Sequence, residues 1–525
     1  MASSGHLAGA VRRLHAAFEA AGQRAHRLGR PILAWSATRI DAIDPIDLVE
    51  RSTARDRMLW ARPDDRQALA GVGPAWTFSA AGPDRFARVE AAWRSIVEDV
   101  VGEPAAAAPE GARDREPSAG APGPVAFCGF AFAPGTRPSA KPAPDEPAQA
   151  GWMSQPWAGF PDALITIPQV AVSQNAGDNW LILSALADGR ARFTGETYEQ
   201  ALAGLTQAAE PAAVIPVEAA DHTTARPGLD DPAYPDGLEL VGEFPSAERW
   251  KQSVRLTAEA IREGRLRKAV LARGIRVRAP RLDPAAAVRA LRADYPSCTA
   301  FAFARDGRWF LGATPERLVR VRNGEADVAA VAGTAPRGRT VEEDHRLAAM
   351  LLASPKDRIE HAIVVEALRD ALADIGAVVE DPRDPRLLTV RNAHHLHTPL
   401  RFVPRTRQTV LALTGRLHPT PAVGGTPLRD ALRWIHGHEG WDRGWYAGPI
   451  GWVGRSGDGE AAVAIRSALV HDGEALLFAG CGIVADSDPD QEYAESDLKL
   501  RPVASALGAT AAPGHPAAAP RREAP

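Results

Sequence analysis

The dipeptide Asn323-Gly324 stands between two runs of alternating apolar residues, LVRVR and EADVAAVAG. Both central residues of a two-residue type I′ turn need positive φ, which Asn and Gly accept most readily, so 318–333 reads as an antiparallel hairpin. Two further hairpins join strands at 461–470 and 474–481 through Asp472-Gly473, and TAFAFA with RWFLGA across Arg305-Asp306-Gly307. A chain built from such hairpins cannot be a doubly wound parallel sheet, in which every strand is followed by a crossover helix.

Helical periodicity covers 6–27, 83–101, 247–263, 284–294, 341–353 and 356–374, and a last helix starts near Pro489. Further strands are expected at 268–278, 409–416 and 446–454, in FPDALITIPQVAVS, in WLILSAL, and as a pair within GPVAFCGFAFAPG. Hairpins with helices grouped between them define an α+β class. The Pro/Ala/Gly-rich stretches 104–124 and 138–147 read as insertions, and the tail 508–525 as disordered. The text changes character near residue 235, and an N-terminal portion, 1–240, is set apart from a motif-dense region, 241–507. Pro502 is expected to kink or end the last helix near 498–501.

A net charge of −4 lacks the basic footprint of a nucleic-acid binder. No run approaches the roughly 20 apolar residues of a membrane span. The first 30 residues have no secretory apolar core, so a cytoplasmic protein is expected, with no membrane or nucleic-acid partner. Cys128, Cys298 and Cys481 are too widely spaced for a disulfide framework or a thiolate metal site.

Lysine is scarce: only Lys141, Lys251, Lys268, Lys356 and Lys499 among 61 basic residues. Lysine can surrender its proton where arginine cannot, so each surviving lysine is a candidate for chemistry. Lys268 opens an apolar strand and is either a partly desolvated base or a strand-end side chain reaching for water. Glu316, in FLGATPERL, is either a carboxyl raised by burial to serve as a general acid or the partner of Arg317 or Arg337. Glu360 shares a helix face with Ile363 and Val364. Glu492, Glu495 and Lys499 fall on one helical stripe, where the carboxylates could serve one hard cation or Glu495 could form an exposed pair with Lys499. His394, His395 and His397 have no usual zinc spacing, and phosphate-loop, dinucleotide and nucleophile-turn patterns are lacking.

Ten segments taken in order resemble the chorismate-utilising enzymes: RKAVLAR, FLGATPERLV, AVAGTAPRG, SPKDRIEHAIVVEAL, HHLHTPL, LHPTPAVGGTP, YAGPIGWV, AIRSALV, FAGCGIVADSDP and QEYAESDLKL. They span about 268–501, and LWARPDDRQALAGVG and FPDALITIPQ extend the likeness towards the N-terminus. The resemblance implies one large domain, two stacked β-sheets with helices outside, and a cleft that takes chorismate and Mg²⁺. Glu360 and Glu495 match its metal-ligand positions, with Glu492 in support, directly or through water. Arg466, Tyr446 and Lys499 match positions that hold substrate carboxylates. His395 matches the active-site histidine, and backbone at Gly333, Thr334, Gly480 and Gly482 is expected to donate N–H groups. In the water-using members a lysine at the Lys268 position activates water, and a glutamate at the Glu316 position protonates the departing hydroxyl.

Anthranilate synthases carry glutamine at the lysine position, and aminodeoxychorismate synthases often carry a lysine where this chain has Ala332. The resemblance therefore implies an isochorismate synthase, with salicylate synthase as the alternative that shares both residues. An anthranilate synthase-like enzyme and a non-catalytic chorismate-binding relative are the remaining readings. A monomer is expected, supplying menaquinone by preference or a siderophore.

Overall fold

The computed structural model describes residues 4–41, 43–104, 123–135, 151–206, 237–380, 382, 384–391 and 393–511. The stretch 138–147 and nearly all of 104–124 fall outside these residues, as does the tail beyond 511.

Strand pairing builds two arms that share one strand. Ala163–Asn175 lies along Gln67–Ala80 over its whole length. Its other edge is divided, the first half pairing with Val125–Phe130 and the second with Asp178–Ala187. From Gln67–Ala80 the first arm runs through Arg57–Arg62, Thr299–Arg305, Arg308–Thr314, Ser467–His471 and Glu474–Ile483 to Lys268–Arg278. From Val125–Phe130 the second arm runs through Pro449–Gly454, Gly459–Val463, Arg317–Arg322 and Glu325–Pro336 to Ala393–Pro404. These pairings are antiparallel. The one parallel pair in the described chain joins Ile32–Arg39 to Val100–Pro104. The expected α+β domain with two stacked sheets is the observed architecture, its sheets continuous through the shared strand.

Alternation sorts side chains into two cores. Phe301 and Phe303 enter the core between the arms, where Phe303 meets Phe127 of the opposite arm edge-on at 6.3 Å and Trp445 at 5.4 Å. Ala302 and Ala304, pointing the other way, join a second core under the helices Ser4–Leu28, Pro284–Asp294 and Pro489–Ala511. The turns at Asp306-Gly307, Asn323-Gly324 and Asp472-Gly473 have positive φ at both central positions, as does the turn at Ala176-Gly177. This is the type I′ pattern expected from the sequence at Asn323-Gly324, and the expected three-residue link 305–307 is a two-residue turn, with Arg305 paired to Arg308.

Several local expectations fail for identifiable reasons. The run at 409–416 is a helix, Val410–Leu417, not a strand. Thr409 caps it by accepting from Ala412 N–H at 3.1 Å, and Val410, Leu411, Leu413, Thr414 and Leu417 are buried at helical spacing. The expected strand 461–470 is two strands broken at 464–466, with Arg466 at φ +52°. GPVAFCGFAFAPG yields the single strand Val125–Phe130, and 446–454 is strand only from Pro449. The last helix passes through Pro502 and continues to Ala511, four residues into the expected tail. Burial of Leu500, Val503, Ala504 and Leu507 holds it against the helix Pro284–Asp294, and Tyr493 packs on Trp250 of the helix Ala247–Arg262, which together offset the hydrogen bond a proline removes.

A buried ion pair fastens the start of the Lys268 strand to the loops beside it. Arg443 Nε donates to Glu439 Oε2 at 2.8 Å, and its terminal nitrogens donate to the carbonyls of Val423 at 3.0 Å and Val270 at 2.7 Å. Glu439 accepts in addition from Ala272 N–H at 2.7 Å. Arg443→Met leaves Glu439 charged, buried and unpaired, and should lower unfolding stability by about 3–5 kcal/mol in urea titrations. A loss below about 1 kcal/mol would show that the pair holds nothing.

Candidate active site

Two places where the chain crosses between the arms lie side by side. The first, at Pro315-Glu316, follows Arg308–Thr314; the second, at 464–466, precedes Ser467–His471. They are tied by backbone bonds, Val463 N–H to Glu316 O at 3.0 Å and Ala313 N–H to Arg466 O at 3.2 Å. Glu316 and Arg466 therefore enter one cleft from adjacent points. That cleft is also lined by Gly333, Thr334, Glu360, His395, Arg443, Tyr446, Gly480, Gly482, Glu495 and Lys499.

The Glu316 side chain is only 5% exposed. Burial raises its carboxyl pKa to about 7, against the opposing pull of the Lys268 and Lys499 charges. Arg317 bonds Glu460 at 2.7 Å and Arg337 bonds Asp344 at 2.8 Å, so neither forms the ion pair that was the alternative for Glu316.

Lys268 is fully buried, which corrects the alternative of a strand-end lysine reaching for water. Its Nζ lies 3.0 Å from Glu360 Oε1 but off the hydrogen-bond direction, leaving that nitrogen without a hydrogen bond among the described residues. The neighbouring strand must carry glycine to allow this approach. A Cβ at Gly482 would stand 2.3 Å from Glu360 Oε1 and 2.8 Å from Lys268 Cε.

Each of the three candidate metal-binding carboxylates faces a lysine. Glu360 faces Lys268, Glu492 faces Lys356 at 2.9 Å, and Glu495 faces Lys499 at 2.6 Å. The Glu495–Lys499 pair thus exists, in the cleft wall and not on the surface. Burial and the adjacent Glu495 charge raise the pKa of Glu492. Burial also works against Glu495, but the Lys499, Lys356 and Arg466 charges together outweigh it and lower its pKa. Cys481 lies within 4.8 Å of Glu492 and Glu495, yet burial holds its thiol neutral and its Sγ donates to Glu492 O at 3.2 Å. The donor set is therefore carboxylate oxygen, which suits a hard divalent cation such as Mg²⁺ and not a thiolate-seeking metal. Lys499 also donates to Gly480 O at 2.9 Å, so the helix points it inwards, one turn before Pro502.

His395 is buried in the strand Ala393–Pro404. Burial and the charge of Arg466 push its pKa well below the ordinary value, so the ring is neutral. Arg466 Nη2 lies 3.4 Å from Nε2 and can only donate. This network assigns the proton to Nδ1, which lies 3.1 Å from Thr334 Oγ1 and 3.4 Å from Gly333 O. Gly333 sits at a register shift with φ +79°, which turns its carbonyl towards the ring. Tyr446 is buried, which raises its pKa and keeps its hydroxyl protonated.

The site residues expected from sequence thus converge on one region, with Lys268 and Glu492 just behind the cleft wall. Two participants were not expected. Arg443 was hidden within WDRGWY. Lys356 was visible only through the scarcity of lysine.

A sequence model of the family described as "Chorismate binding enzyme" matches residues 17–508. The chain is a chorismate-binding enzyme. This chorismate-binding enzyme is 36% identical over 507 residues to the salicylate biosynthesis isochorismate synthase of Pseudomonas aeruginosa, covering 94% of each chain. It is 29% identical over 493 residues to an isochorismate synthase of Bacillus subtilis, covering 92% of this chain and 95% of the relative. Its fold matches that of the menaquinone-specific isochorismate synthase of Escherichia coli with a TM-score of 0.66 at 22% identity, over 94% of this chain and all of the other.

The burial of Glu316 is testable without substrate. Its carboxyl ionises near 4.5 in an unfolded chain and near 7 in place. Stability gained by keeping it neutral is complete below pH 4.5 and is lost as pH rises through 7. Glu316→Gln cannot ionise, so its Tm relative to wild type should climb between pH 5 and pH 8, by up to about 3 kcal/mol in stability. A difference independent of pH would contradict the raised pKa.

Proposed function

We propose that this chain converts chorismate to isochorismate with the help of Mg²⁺. The reading is supported above all by one observation: a buried lysine nitrogen lacking a hydrogen bond and a buried carboxyl titrating near neutrality lie within electrostatic reach of each other at one cleft. The names of the two nearly full-length relatives support the same product.

In this reading Lys268 takes a proton from a water molecule whose oxygen bonds to C2 of the ring. The ring double bonds shift, and the C4–O bond breaks. Glu316 gives its proton to that oxygen, which leaves as water; the proton held by Lys268 then returns to Glu316 through solvent, so the net change is an isomerisation. Arg466, Lys499 and the Tyr446 hydroxyl hold the substrate carboxylates, with N–H groups near Gly333, Thr334, Gly480 and Gly482. Neutral His395, fixed by Arg466 and Gly333, orients this wall. A magnesium ion held by Glu360 and Glu495, with Glu492 in support, would draw electron density towards the ring carboxylate. Water attack requires a base at position 268, where ammonia-using relatives need none.

Purified protein given chorismate and Mg²⁺ should accumulate isochorismate. Salicylate with pyruvate, or anthranilate formed only with ammonia, would replace this reading by one of its alternatives. Lys268→Ala and Glu316→Gln should each lower kcat by about 10²–10⁴-fold. Since the acid must carry its proton, wild-type kcat should fall as pH rises through about 7, and that limb should be missing from the residual activity of Glu316→Gln. Glu495→Gln should raise the Mg²⁺ requirement about tenfold or more. Full activity in the Lys268 variant, or an unchanged metal response in the Glu495 variant, would remove that residue from its role.

A further inference from the structure

The scarcity of lysine draws attention to Lys356, which lies outside the catalytic pair and outside the cleft lining. It sits in the first turn of the helix Pro355–Ala373, the helix that also carries Glu360. Its Nζ lies 2.9 Å from Glu492 Oε1, an oxygen that also accepts from Ser487 Oγ at 2.8 Å. Glu492 and Glu495 are near neighbours, and the charges of Glu360 and Glu495 act on Lys356 as well. A single ammonium group therefore answers to all three carboxylates.

The three lysines of the site differ in how easily they can leave it. Lys268 is 0% exposed and Lys499 is 15%, so each would have to move through packed structure. The Lys356 side chain is 35% exposed and can turn its charge into water, while Glu492 beneath it is 3% exposed. A buried carboxylate whose counter-ion departs needs another cation. Conversely, an ammonium left in place repels a divalent ion arriving at the same carboxylates.

We propose that Lys356 is the placeholder cation of the metal site: it neutralises Glu492 until a divalent cation arrives, and is displaced by it. Lys356 thereby weakens metal binding to the substrate-free enzyme and keeps the carboxylate cluster assembled meanwhile. This inference rests on the reading that Glu492 supports a magnesium site. It makes Lys356 a positioning residue, since nothing requires it to touch substrate.

The test is Mg²⁺ binding by calorimetry to the substrate-free protein, with the Tm rise on adding Mg²⁺ as a second readout. Lys356→Met should bind Mg²⁺ about five- to tenfold more tightly than wild type, the effect expected of removing one competing, half-buried charge. Lys356→Arg, which keeps the competing charge, should remain near the wild-type affinity. Equal or weaker binding by Lys356→Met overturns the inference and leaves the metal reading intact. Tighter binding by Lys356→Arg to the same degree also overturns it, because charge would then not be the cause. Failure of wild type and Lys356→Met alike to take up Mg²⁺ would remove the metal reading, and this inference with it.

Discussion

The architecture turns on a pair of backbone hydrogen bonds at the corner where the two arms meet. Val463 donates to the carbonyl of Glu316, and Ala313 donates to the carbonyl of Arg466. Both bonds are made where the chain leaves one sheet for the other, so neither crossing can shift without the other. An acid and a guanidinium are thereby set beside each other with little freedom, on backbone instead of on long loops. Arg466 accepts a left-handed conformation there, a strain that the surrounding pairing must hold in place.

Around that corner the electrostatics are nearly self-contained. Three carboxylates each face a lysine nitrogen across 2.6–3.0 Å, Glu360 with Lys268, Glu492 with Lys356 and Glu495 with Lys499. Isolated, any one of these charges would be costly to bury. Set opposite one another, each supplies the other with a partner that water would otherwise have to provide. Arginine supplies positive charge almost everywhere else in the chain, and its flat, always-protonated head would serve poorly where a compact or deprotonatable group is needed.

Much of this was legible in the sequence, and the failures have physical causes. Hairpins with Asn-Gly or Asp-Gly turns were readable because the φ requirement is local. Lys268, Glu316, Glu360 and Glu495 were found through segments resembling a family, and no spacing rule alone would have joined residues more than 200 positions apart. The helix Val410–Leu417 reads as a strand in sequence because a short apolar run carries no decisive period, whereas in the fold its Thr409 cap and its buried face favour the helix. The passage through Pro502 depended on packing beneath the helix, which outweighs a local rule. The strand Ala393–Pro404 was obscured by three histidines and two prolines, although it positions His395. The Lys356–Glu492 contact joins two helices and left no local trace.

The type I′ turns have a geometrical consequence. Asp306-Gly307, Asn323-Gly324 and Asp472-Gly473 each close a hairpin whose opposite end carries Glu316, Gly333 or Gly480. At about 3.3 Å per residue, the strands put some 20–30 Å between each turn and the cleft. The molecule thus has a chemical rim and a mechanical rim. Along the latter the polypeptide can be nicked, lengthened or given new termini while the reacting groups stay in place, which makes those turns the natural anchor points for tethers and reporter labels.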